Sequence, residues 1–128
     1  MLPNQIEVIT LFVEDIAAAR AFYSAVFAPQ IVYEDAVSAV LGLEGTMVNL
    51  LALSQAPGLV APRQPGSRED GPRMLLTVRV DDVDAVCGKL MELGIALLNG
   101  PVDRPWGRRT AAFADPAGHV WEVAQVIG

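Results

Sequence analysis

The sequence predicts an α+β protein of two modules built on one plan, each a strand, a helix and three further strands. Three observations predict it. Short stretches rich in β-branched and aromatic residues alternate with period two, as half-buried strands do. Asp15 and Asp82 each stand directly before an apolar pattern of helical period, where a side-chain oxygen caps a first turn. The letters themselves recur, Val13-Glu14-Asp15-Ile16 returning as Val80-Asp81-Asp82-Val83 on the far side of a proline-rich segment. Self-similarity of this kind means two like units, each with a face to bury.

Module one runs from about residue 5 to residue 53. Gln5 to Val13 is its first strand, with Val8, Thr10 and Phe12 on one face and Ile9, Leu11 and Val13 on the other. Asp15 then caps a helix whose Ile16, Ala19, Phe22, Tyr23, Val26 and Phe27 share one side, and Pro29 stops it. Strands follow at about Ile31 to Glu34, Ala36 to Leu41 and Thr46 to Leu53. Residues 54–72 carry Pro57, Pro62, Pro65 and Pro72 among glycines and read as a long loop, of the length that marks linkers and functional covers. Module two, about 73 to 127, opens with a strand from Met74 to Val80. Its helix, capped by Asp82, turns Val83, Val86, Leu90 and Leu93 inward and ends at Gly94. Strands at Ile95 to Leu98, Arg109 to Ala114 and His119 to Val126 complete it. Asp115-Pro116-Ala117-Gly118 has the residues a type I turn takes at its first, second and fourth places, so the last two strands form a hairpin. The final strand sets Trp121 and Val123 on one face and Val120, Glu122 and Ala124 on the other.

Composition narrows the function. At 128 residues and 52% hydrophobic, the chain suffices for one domain with an ample core. No apolar run approaches the ~18 residues of a membrane span. A formal charge of −6 disfavours a nucleic-acid partner and favours cationic small molecules. Cys87 is the single cysteine and reads as a buried free thiol. The first residues lack a basic segment and a following apolar region, so a cytoplasmic protein is expected.

With the Val13-Glu14-Asp15-Ile16 segment leading to Phe22-Tyr23, its restart at Val80, and Asp115-Pro116-Ala117-Gly118-His119-Val120-Trp121-Glu122, the chain resembles the vicinal oxygen chelate superfamily. That is the glyoxalase I, bleomycin-resistance and extradiol-dioxygenase group. The resemblance implies paired βαβββ modules whose curved mixed sheets enclose a cleft, commonly in a homodimer. It also implies where a metal would be held, because metalloenzymes of the group take one ligand from each of several cleft-facing strands. Those positions fall on Val8, near Asn49, on Leu75 and on Glu122. Two hydrocarbons, an amide and one carboxylate do not make a zinc or iron site, so neither metal nor cofactor is expected. His119 stands beside the turn, on the other parity from Glu122.

Strand parity names Val8, Thr10, Phe12, Asn49, Leu51, Leu75, Thr77, Arg79 and Glu122 as ligand-binding candidates. Trp106 and Arg108, from Pro105-Trp106-Gly107-Arg108, join them as a pocket wall, although Trp106 fits equally a lid over the core edge. The reading these residues favour is a metal-independent binding protein for a small organic molecule, an antibiotic or a metabolite. The alternative is a lyase, isomerase or dioxygenase using Glu122 as base or ligand. A third role for Glu122 is an ion pair with Arg79 or Arg108.

Overall fold

The computed structural model describes residues 1–128, which divide into two compact units, Met1–Asp70 and Gly71–Gly128. The first unit holds β1 (Val8–Val13), α1 (Ile16–Phe27), β2 (Gln30–Glu34), β3 (Ser38–Leu43) and β4 (Thr46–Ala52) in a sheet of order β1-β4-β3-β2. β1 and β4 run parallel and the other neighbours antiparallel. The second unit repeats the plan with β5 (Leu75–Arg79), α3 (Val83–Glu92), β6 (Leu97–Arg104), β7 (Arg108–Ala114) and β8 (Val120–Val126), in the order β5-β8-β7-β6. Two βαβββ modules are therefore present, as the recurrence of letters implies.

Each helix begins where its aspartate stands. Asp15 accepts the Ala18 N–H at 3.0 Å and Asp82 the Ala85 N–H at 3.1 Å, satisfying a donor that the first helical turn leaves open. α1 ends at Ala28, whose left-handed φ of 45° breaks the helix one residue ahead of Pro29. Each helix covers one face of its own sheet. In the first unit Ala19 and Tyr23 are buried together with Leu11, Val13, Ala39, Leu41, Val48 and Leu50. In the second, Val83, Cys87 and Leu90 are buried with Ala111, Phe113, Trp121 and Val123. Burial raises the Cys87 thiol above its ordinary pKa, helped by Asp84, so it behaves as a small apolar group. Leu93, expected inside, lies past the last buried turn and is exposed.

The hairpin of β7 and β8 turns on Asp115. Its carboxylate is buried and accepts the N–H groups of Ala117 at 2.9 Å and His119 at 2.8 Å, while Gly118 N–H closes the turn on the Asp115 carbonyl.

The largest differences from expectation lie in three places. β1 starts at Val8; Gln5 to Glu7 are exposed and precede the paired positions, with only the Glu7 carbonyl accepting the Met47 N–H of β4 at 3.4 Å. Residues 54–72 are not structureless, since α2 (Pro57–Val60) and 3-10 turns at Leu53–Gln55 and Arg68–Asp70 occupy part of them. β6 continues to Arg104, past Gly100 and Pro101, where a strand would ordinarily end. It can do so as an edge strand, in which a proline forfeits no ladder bond to an outer neighbour, and at register shifts that absorb the extra residues. Gly100, with φ of 83°, is required there: a Cβ would lie 2.3 Å from the Thr110 carbonyl oxygen.

Candidate functional site

Because each helix covers one face, the alternation of each strand sends every second side chain to the face opposite its helix. In the first unit the ladder places Val8, Thr10 and Phe12 of β1 beside Met47, Asn49 and Leu51 of β4. Val40 of β3 stands across from Asn49, and Tyr33 of β2 across from Val40. In the second unit Leu75, Thr77 and Arg79 lie beside Val120, Glu122 and Ala124. Ala112 of β7 then faces Glu122, and Asn99 of β6 faces Ala112. The strand candidates named from parity thus all lie on helix-opposite faces.

The registers make the two rows equivalent. Thr10 pairs with Asn49 as Thr77 pairs with Glu122, which fixes Asn49 as the counterpart of Glu122 and Val8 as that of Leu75. The positions implied as metal ligands therefore carry Val8, Asn49, Leu75 and Glu122. No group of three His, Cys, Asp or Glu side chains comes together anywhere in the chain. This donor set does not fit a zinc or non-haem iron ion, which needs three or four nitrogen, oxygen or sulfur donors.

Glu122 is half-buried and accepts a hydrogen bond from the Thr77 hydroxyl at 3.0 Å. It forms no ion pair with Arg79 or Arg108, so the third role considered for it is not realised; the arginines that do pair include Arg20 with Glu34 and Arg109 with Asp84 and Asp103. In the first unit the amide oxygen of Asn49 is buried and has no partner. Trp106 stands in the turn between β6 and β7 and is 67% exposed, which removes the core-edge reading.

Sequence reasoning missed Arg104, because β6 was expected to end before it. Its Nε donates to the Thr110 hydroxyl at 2.9 Å and its Nη2 to the Asn99 side-chain oxygen at 3.1 Å. Its Cζ lies 6.0 Å from the centroid of the Trp106 ring, at the limit of a cation–π contact. The cue was the period-two pattern through Val102, Arg104, Arg108 and Thr110, hidden by the glycine and proline before it. With Arg104, Arg108 and Arg79 on one face against Glu122 alone, that face is locally cationic although the chain carries −6. The opposite face keeps its own arginine neutralised: Arg109 bonds Asp103 at 2.9 Å and Asp84 at 3.0 Å, and hydrogen bonds to these two carboxylates hold its guanidinium above its ordinary pKa.

Solved structures with this architecture are numerous. A glyoxalase-related enzyme from Fulvimarina pelagi superposes with a TM-score of 0.82 at 25% identity, over 96% of this chain and 88% of the other. An antibiotic-binding protein from a Streptomyces species superposes at 0.73 with 27% identity, over 98% of both chains. A lactoylglutathione lyase from Agrobacterium tumefaciens, at 24% identity and 0.78 over 97% of this chain and 95% of its own, shares the fold. Among curated proteins none matches the sequence. The model of one family spans residues 5–123, taking in both modules and the Asp115 turn, and by that match the chain belongs to the glyoxalase/bleomycin resistance protein/dioxygenase superfamily.

Proposed function

We propose that this protein binds a small organic molecule, an antibiotic or a metabolite, without a metal. The observation that carries the reading is the pair Val8 and Leu75, two hydrocarbons in equivalent places on β1 and β5 where metalloenzymes of the group have donors. What remains polar suits recognition. Glu122 is held by a neutral hydroxyl and keeps lone pairs for a ligand N–H or O–H, and apolar neighbours such as Leu75 and Val120 supply contact area. The likeness at 27% identity to an antibiotic-binding protein supports the same reading.

The protein is expected to work as a homodimer in the cytoplasm. Within each unit the outer strands, β1 and β2, or β5 and β6, have one unpaired edge, and chain-to-chain packing is a common way to cover such edges. A buried, unpaired thiol accords with a reducing compartment. Light scattering at micromolar concentration that returns only monomer would refute the dimer.

Elemental analysis of the purified protein, with melting curves in zinc, manganese, nickel and ferrous iron, tests the central claim. The expected result is no stoichiometric metal and no saturable rise in melting temperature. One tightly held equivalent overturns the reading. Glu122→Gln is expected to leave the melting temperature near that of the parent, since it breaks no ion pair, and to weaken amine-bearing ligands about tenfold or more.

A further inference from the structure

We propose that the second unit recognises an acidic group of its ligand through Arg104, whose guanidinium Thr110 and Asn99 hold in place without neutralising it. The inference rests on the small-molecule reading above and names the ligand's chemistry. Two arginines on the same hairpin make the contrast. Arg109 spends its donors on the carboxylates of Asp84 and Asp103, so its charge is already answered. Arg104 takes part in no ion pair, and both its partners are neutral oxygens. Neutral acceptors fix a guanidinium's orientation while leaving its field intact. A planar fork so held still has free N–H groups at Nη1 and Nη2, in the geometry that suits a carboxylate or phosphate.

The setting supports the same reading. Thr110, whose hydroxyl receives Nε, is 1% exposed, so the guanidinium is tied to a buried residue of the sheet rather than to a loop. Arg108 stands directly across from Arg104, adding like charge that an anion would offset. Trp106, largely exposed beside it, offers a ring on which a flat ligand can stack. Along the row Asn99–Ala112–Glu122, the residue between the two polar positions is a single methyl side chain, and the strands bearing Asn99 and Glu122 lie about 10 Å apart. A ligand that answers both ends therefore carries an acidic group a few bonds from an N–H or O–H donor, on a compact apolar frame.

The test uses the full chain and three probes titrated by NMR: 4-(aminomethyl)benzoate, its methyl ester, and benzylamine. The acid is expected to bind about tenfold or more tightly than the ester, as a hydrogen bond between two charges does over a neutral one. Arg104→Gln is expected to erase that preference and leave benzylamine unchanged. Arg104→Lys, which keeps the charge without the fork, retains part of the preference and carries the test should the glutamine variant melt low. Asn99→Ala, which frees the guanidinium to wander, weakens the acid more than benzylamine. Equal affinity for acid and ester, or a preference that survives Arg104→Gln, overturns this inference while leaving the small-molecule reading in place. A preserved acid preference with benzylamine indifferent to Glu122→Gln supports Arg104 and overturns the role of Glu122. Binding of none of the probes overturns both.

Discussion

Two rows of side chains, one in each unit, occupy the same place on the same scaffold and carry different chemistry. In the first unit the row is Thr10, Asn49, Val40 and Tyr33; in the second it is Thr77, Glu122, Ala112 and Asn99. The first helix-opposite face bears no formal charge among its strand residues, and its one buried amide oxygen is unsatisfied. The second gathers three guanidiniums and a carboxylate, and Glu122 has its hydroxyl partner. The folding information lies in the other parity, in Leu11, Val13, Val48 and Leu50, and in Trp121, Val123, Ala111 and Phe113. A duplicated plan thus leaves one face of each sheet free to diverge. Here the charged side chains have gathered in the second copy.

The largest test of that comparison lies at the glycines of the two units. Gly100→Ala in β6 drives a methyl into the Thr110 carbonyl at a left-handed φ, and should destabilise the protein by about 3 kcal/mol or more. Gly45→Ala, at a similar φ of 85° but with open space around it, should cost only about 1–2 kcal/mol. Paired chemical denaturation measures both, and equal costs would show that the hairpin yields to the methyl rather than resisting it.

Next comes the turn that closes each hairpin. Asp115→Ala removes a buried carboxylate that accepts two backbone N–H groups and is expected to cost about 3 kcal/mol. Glu44→Ala, in the exposed turn of the first unit, should stay within about 0.5 kcal/mol. A small loss at Asp115, read from urea midpoints at constant slope, would mean that water replaces the carboxylate without penalty.

The smallest effect separates the two rows. Asn49→Leu deletes a buried acceptor that bonds to nothing and should stabilise the protein by about 1 kcal/mol. Glu122→Leu has no such gain available and forfeits the Thr77 bond, so it should be neutral or mildly destabilising. Melting curves that move the same way for both variants would dissolve the distinction between the rows.

Features encoded within a few residues of one another were legible in the letters alone. Helix starts at Asp15 and Asp82, the turn at Asp115 and the parity of β1, β4, β5 and β8 depend on neighbours in the chain, and caps, turns and period-two patterns are local. The duplication was legible for the same reason, since each module writes the same local signals in the same order. The remainder depends on contacts between distant parts of the chain. Gly100 and Pro101 read as a strand's end because their local preferences are those of a break, yet a position at the sheet's edge tolerates both and carries β6 on to Arg104. Net charge is a sum over the whole surface, and it cannot say that one sheet face is cationic while the chain is acidic. Whether an arginine is neutralised or poised depends on which side chains the ladder brings against it: two carboxylates for Arg109, a hydroxyl and an amide for Arg104. Strand pairing sets that proximity, and no spacing along the chain encodes it.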